Sequence, residues 1–259
     1  MKERVITGIC LLAVVLPLIY LGGYWFAGLI LTATTIAAWE MVNMHENLNK
    51  TPVWMKGLSI IATVIVIFIP GILLTVKVVA GYVLLLILLG IILKEVNDKV
   101  IKFHAFTLIY IGFAFRALLE IRESSLTLFF FLIAIVILTD SMAYFAGRFF
   151  GKHKLAPKIS PKKTIEGASG GWLAGIGFAV AFGLANDLFT ETWVLLVLAV
   201  CLPILSQIGD LVASALKRKH DIKDFGKIFP GHGGVMDRVD SQMLAALLIY
   251  IILQIGGVV

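Results

Sequence analysis

Apolar residues in this chain run in long blocks rather than in alternation, and short polar interruptions separate the blocks. A helix needs about 20 mostly apolar residues to cross a hydrocarbon core of about 30 Å. Nine segments fit, near residues 5–22, 24–40, 57–74, 78–94, 103–119, 126–147, 168–186, 192–213 and 241–258. Only Gly22 and Gly23 stand between the first two, a spacing that suits a tight hairpin or a re-entrant pair. No fixed-period repeat, low-complexity tract or second domain is evident. The pattern predicts an all-α polytopic membrane protein with about nine transmembrane helices. Residues 1–120 read as N-terminal transmembrane helices with generic sequence. Residues 121–259 read as a C-terminal transmembrane region whose two long loops, 148–167 and 214–240, carry its chemistry.

Composition sharpens this. Of 259 residues, 60% are hydrophobic and only 15% are charged. A soluble domain is about half apolar and about a quarter charged, so this chain has too little polar surface to coat a water-facing globule. Lys2 and Arg4 ahead of an apolar stretch resemble a secretory signal, but no small-x-small cleavage pattern follows, so the segment is expected to be retained as the first helix. Cys10 and Cys201 lie in apolar runs without partner spacing and suggest neither a disulfide framework nor a metal site. The net charge of +6 reads as loops facing anionic lipid rather than as a nucleic-acid surface, and no nucleic-acid partner is expected.

The basic residues also orient the chain. A cytoplasmic N-terminus puts interruptions 41–56, 95–102, 148–167 and 214–240 inside, with Lys94 and Arg148 assigned to that side. Of the 22 Lys and Arg residues, only Lys77, Arg116 and Arg122 then fall outside. Positive charge is retained on the cytoplasmic side. The expected location is the inner (cytoplasmic) membrane, with the functional site near its cytoplasmic face.

Within the second loop, Gly231, Gly233 and Gly234 can take backbone conformations closed to other residues. Such a turn can point successive N–H groups at a phosphate. Lys217, Arg218 and Lys219 supply charge for a polyanion. Asp237 and Asp240 are hard oxygen ligands of the kind Mg²⁺ prefers, and they share a helix face if the last helix begins near Gly234. Together these parts suit phosphoryl-type transfer, which depends on positioning and charge neutralisation. The plain alternative is a basic topology signal, a surface Asp237–Arg238 pair and an ordinary glycine loop. Clustering of all these features within 27 residues, next to intramembrane acids, favours the site.

Those acids are Asp140 and Asp210. A carboxylate at membrane depth is costly unless paired, metal-bound or wet, and it marks a functional site by default. Asp140 could also be a helix-end acid facing water, with Arg148 soon after. Gln207 and Ser206, three and four residues before Asp210, suggest a polar pocket around it. Other polar residues read more plainly. Arg116 suits snorkelling at a helix end. Glu40 and His45 mark the inner end of the second span. His153 and His220 read as solvated loop residues, and Trp25, Trp54, Trp172 and Trp193 as an interfacial belt.

The stretch Ser214 to Asp240 reads SALKRKHDIKDFGKIFPGHGGVMDRVD. It resembles, throughout, the signature of the phosphatidate cytidylyltransferase (CDP-diacylglycerol synthase) family. Thr139-Asp140-Ser141-Met142-Ala143-Tyr144-Phe145-Ala146-Gly147-Arg148 and Ser160-Pro161-Lys162-Lys163-Thr164-Ile165-Glu166-Gly167 also resemble its bacterial members. The likeness covers about residues 139–241.

The resemblance implies that CTP and phosphatidate give CDP-diacylglycerol and pyrophosphate with Mg²⁺, and it implies a homodimer in the membrane. On that basis Asp210 and Asp237 are expected to ligate Mg²⁺. Asp240 would orient a ligand or support a second cation, a monovalent ion such as K⁺ being open, and Asp140 is a further metal candidate. Lys217, Arg218 and Arg238 would offset repulsion between two anionic substrates. Gly233 and Gly234 would let backbone approach the triphosphate, and His232 would bond a phosphate oxygen or cap the turn. Ser160, Lys162, Lys163 and Thr164 would contact nucleotide or lipid phosphate, with Ser214, Lys223 and Asp224 as further substrate-binding positions. Two other readings stand beside it. One is a CTP-dependent lipid kinase of the polyprenol type, which would release CDP. The other is a transporter using Asp140 and Asp210 as ion relays, which would show halves related by repeat.

Overall fold

The structure is a computed structural model and describes residues 2–46, 51–93 and 98–255. Lys94 and parts of interruptions 41–56 and 95–102 lie outside the described residues. Among the described residues ten α-helices follow one another: α1 (Lys2–Leu21), α2 (Gly23–Glu46), α3 (Val53–Phe68), α4 (Ile72–Leu93), α5 (Asp98–Thr107), α6 (Phe113–Ser124), α7 (Leu126–Phe150), α8 (Ile165–Ala185), α9 (Thr192–Lys219) and α10 (Met236–Ile255). A π-helical turn, Leu108–Gly112, joins α5 to α6, so the two run as one segment, Asp98–Ser124. Seven segments among the described residues are long and apolar enough to cross a membrane, and Ile6–Leu21 and Val53–Phe68 are shorter apolar helices. The chain is an all-α, multi-pass membrane protein.

The nine apolar blocks correspond to these segments, with shifted ends. The block read as 57–74 stops at Phe68, because Pro70 cannot continue the helix and Gly71 turns at φ +74°. Between α1 and α2 the chain turns on Gly22 and Gly23, at φ +67° and +49°, conformations that favour glycine. α9 runs on to Lys219, so Lys217, Arg218 and Lys219 form its last turn rather than a loop. Basic side chains there complement the helix carbonyl end. The first long loop holds an element that the apolar pattern does not reveal, the antiparallel hairpin β1 (Lys154–Ala156) and β2 (Ser160–Thr164).

The chain divides into two compact units. One comprises residues 1–119 with 220–238; the other comprises 120–219 with 239–259. In the first, Met55, Val66, Val79, Tyr82, Leu86 and Leu108 form a buried apolar cluster. Beside it Ser59 Oγ lies 2.6 Å from the Tyr82 hydroxyl and 2.5 Å from His104 Nδ1, so polar groups in this interior satisfy one another. Two sequence readings are overturned here. Arg116 does not snorkel outward; it is 4% exposed and donates to the Ile67 carbonyl at 2.9 Å. The last carbonyls of a helix have no partner within it, and Arg116 supplies one to α3. His220 is not solvated; it is 2% exposed, its ring 5.5 Å from that of Phe103.

In the second unit α7 and α8 pack through small residues. Gly167, Gly171, Gly175, Ala179 and Gly183 form the buried stripe of α8 at four-residue spacing. A Cβ on Gly167 would lie 2.6 Å from the Ala143 carbonyl oxygen, and one on Gly175 2.6 Å from the Pro203 ring of α9. Where lipid is as apolar as leucine, close backbone approach of this kind drives helix association. The stripe fixes α7 against α8, and so the position of residues 139–148.

Candidate active site

The hairpin is anchored where it enters α8. Thr164 is the N-cap of that helix, its hydroxyl accepting from Gly167 N at 3.1 Å. Glu166 in the first turn accepts from the N–H groups of Lys152 and His153 at 3.1 and 3.2 Å, and lies 2.6 Å from His153 Nδ1. Lys162, Lys163 and Ser160 are thereby held on a fixed strand.

That strand forms one wall of a cavity of about 470 Å³ within the second unit. α7 contributes Asp140, Tyr144, Gly147 and Arg148; the hairpin contributes Ser160, Lys162, Lys163 and Thr164; α9 contributes Gln207 and Asp210. Lys163 and Asp210 form an ion pair. Ser241 of α10 hydrogen-bonds Asp140, which also lies within electrostatic reach of Lys163 and Asp210. Ser214 Oγ, one turn along α9, donates to Asp210 Oδ1 at 3.4 Å. Of the two residues expected around Asp210, Gln207 lines the cavity and donates to the Ala168 carbonyl at 3.2 Å. Ser206 does not line it; it is fully buried and donates back to the Pro203 carbonyl of its own helix at 3.1 Å. Asp140 is part of the cavity rather than a helix-end acid at its edge.

Further along α9, Lys217 is buried, with Nζ 3.7 Å from Asp240 Oδ2. Asp240 Oδ1 accepts from Ser241 N at 2.9 Å. A Cβ on Gly209 would stand 2.6 Å from the Asp240 carbonyl oxygen, so only glycine lets α9 approach α10 this closely. Arg218 lies exposed in the last turn of α9.

The glycine loop belongs to the first unit. Gly231 and Gly233 turn at φ +73° and +82°, and Phe229 bridges Gly233. Asp237 Oδ2 accepts from Phe225 N at 2.8 Å and Gly234 N at 3.0 Å. His232 N and Gly233 N donate to the Phe229 carbonyl. Val235 N and Met236 N donate to the two carboxylate oxygens of Glu40 on α2, each at 3.1 Å. All five amides from 232 to 236 are therefore engaged by protein acceptors. Lys223, Asp224 and Arg238 are exposed, and His232 lies against Gly8 of α1. Glu40 is thus more than the end of the second span. The argument that singled out Asp140 and Asp210, an acid inside an apolar block, applies to it equally.

The donor set is suited to Mg²⁺ in one form. No group of three or more His, Cys, Asp or Glu side chains among the described residues stands close enough to hold a metal alone. Asp140 and Asp210 do line one cavity and act on each other electrostatically. Mg²⁺ usually takes one or two carboxylates and completes its shell with substrate phosphates and water. The residues present fit that arrangement.

The chain is similar to known proteins along nearly its whole length. A relative in Bacillus subtilis (strain 168), a phosphatidate cytidylyltransferase, is 34% identical, with 98% of this chain and 97% of the relative covered. A phosphatidate cytidylyltransferase of Staphylococcus epidermidis is 37% identical, covering 98% of this chain and 99% of its own length. One of Staphylococcus aureus (strain COL) is 35% identical over the same shares. The model of the cytidylyltransferase family matches residues 2–256, and the chain belongs to that family.

Proposed function

We propose that this protein is a phosphatidate cytidylyltransferase of the inner membrane, making CDP-diacylglycerol and pyrophosphate from CTP and phosphatidate. The observation that carries the reading is the cavity in which Asp140, Lys163 and Asp210 meet beside Ser160, Lys162 and Arg148. It combines cationic side chains for phosphate with carboxylates for a cation. Full-length similarity to relatives bearing that name supports it. The distribution of Lys and Arg supports a site on the cytoplasmic side, where CTP is available.

A phosphate oxygen of phosphatidate attacks the α-phosphorus of CTP. The new P–O bond forms as the bond to the β-phosphate oxygen breaks, and pyrophosphate leaves with that electron pair. Phosphatidate is already anionic, so no strong general base and no covalent enzyme intermediate are required. Catalysis then rests on positioning and electrostatics. Lys162, Lys163 and Arg148 bind phosphate oxygens, and Lys217, Arg218 and Arg238 offset the repulsion between substrates. Mg²⁺, when bound, neutralises the triphosphate. Asp210 and Asp140, which line one cavity, would hold it, and Asp237 and Asp240 on α10 would be further carboxylates for a cation. Gly233 shapes the turn around Asp237.

The test uses purified protein in detergent with phosphatidate, Mg²⁺ and CTP labelled at the α-phosphate. Label entering lipid with equimolar pyrophosphate supports the reading. Label remaining in soluble CDP makes the protein a lipid kinase instead, and no turnover of CTP removes both.

A further inference from the structure

Glu40 sits in the apolar helix α2 and is 1% exposed. An ionised group in such a place is costly unless it is fully bonded. Its carboxylate is divided between two donors: Oε1 takes the Val235 N–H and Oε2 the Met236 N–H, both at 3.1 Å. These amides open α10, where the helix end carries partial positive charge and ordinarily receives an anion. The loop is shaped around the carboxylate. A Cβ on Gly226 would lie 2.7 Å from Glu40 Cδ, and one on Gly234 would collide with the same group. Asp237 completes the turn by accepting from Gly234 N and Phe225 N. Consecutive amides thus go to two acids, Gly234 to Asp237 and the next two to Glu40.

We propose that Glu40 is a positioning residue for cytidylyl transfer, holding the first turn of α10 so that the Asp237 carboxylate is fixed in its working orientation. The proposal rests on the reading above that Asp237 serves cation binding. Glu40 itself touches neither substrate nor cation. It acts through the Val235 and Met236 amides on the residue that follows them. A glutamine cannot replace it, because its amide group would face one of the two N–H donors instead of accepting from it.

The experiment compares the full chain with its E40Q, E40D and D237N variants in the same detergent. It records kcat, the KM for phosphatidate, the Mg²⁺ concentration for half-activation, and amide exchange over residues 225–238 without nucleotide. For E40Q, kcat should fall about tenfold or more, the loss of a charge-assisted pair of bonds. Half-activation by Mg²⁺ should require about fivefold more, with the phosphatidate KM moving less than about twofold. The amides of 234–237 should exchange about tenfold faster. E40D, one methylene shorter but still charged, should recover part of the rate. Wild-type kcat and Mg²⁺ dependence in E40Q, despite loosened amides, would overturn the proposal. So would a loss of folded protein with the Mg²⁺ dependence unchanged in what remains. If E40Q does not fold, E40D is judged by the same criteria. D237N separates the two layers: if it is active, the role of Asp237 fails and this proposal with it; if it is inactive while E40Q is normal, the Glu40 proposal alone fails.

Discussion

Replacing Gly171 by alanine tests whether the α7–α8 contact sets the geometry of the cavity. The added Cβ would stand 2.5 Å from the Thr139 carbonyl oxygen, 2.8 Å from Ala143 Cβ and 3.1 Å from Ala143 N. Ordinary contact begins near 3.4 Å, so the nearest approach falls short by about 0.9 Å. The obstructing oxygen is backbone, and no rotamer change relieves it. α7 must therefore move from α8 by about 1 Å. Overpacking of this kind costs ~1–3 kcal/mol, partly offset by up to ~1 kcal/mol of helix propensity gained on replacing glycine. The rate is the sharper readout. Asp140 follows Thr139 directly, and misplacing a reacting geometry by about 1 Å can lower the rate by about 100-fold. G177A serves as control, because nothing stands within 4 Å of a Cβ there. The assay measures cytidylyl transfer and thermal unfolding on the same preparations. G171A should lose most activity, while G177A should keep it and unfold no earlier. A G171A protein with wild-type rate and stability, or equal damage in G177A, would refute the reasoning.

The remaining predictions concern individual side chains. K163A removes the ion-pair partner of Asp210 and should lower kcat by about 100-fold at saturating CTP, with K163R recovering part; a change below about threefold counts against its role. R116A removes a buried charged donor from the Ile67 carbonyl and should destabilise the protein by ~1.5–3 kcal/mol in denaturant unfolding, with the rate per folded molecule preserved. E166A releases the Lys152 and His153 amides, and should speed their hydrogen exchange while barely changing the unfolding midpoint, since these bonds tie down only the exposed start of the loop after α7.

The fold class was legible in the sequence, for physical reasons that are local. A block of about 20 apolar residues crosses a membrane whatever its neighbours do, because lipid leaves no other way to satisfy its backbone. The nine blocks consequently foretold the helices, and isolated acids within them marked Asp140 and Asp210. Helix ends were less legible, since they depend on caps and on single residues such as Pro70 and Thr164. The glycine stripe of α8 and its partner on α7 emerge only in the structure, where close packing gives the four-residue spacing its meaning.

Tertiary structure decided which polar groups meet. Lys163 pairs with Asp210 across 47 positions of sequence, a relation that no helical or strand period encodes. Arg116 and His220 looked like surface residues because charge and position alone favour water, yet each is buried where a carbonyl or a ring receives it. Glu40 is the clearest case. Its sequence shows an acid at the end of an apolar block, and only the fold brings to it the two amides, 195 and 196 residues away, that make its burial affordable. Membrane insertion follows from the composition of each segment by itself, whereas satisfaction of a buried charge requires a partner from elsewhere in the chain.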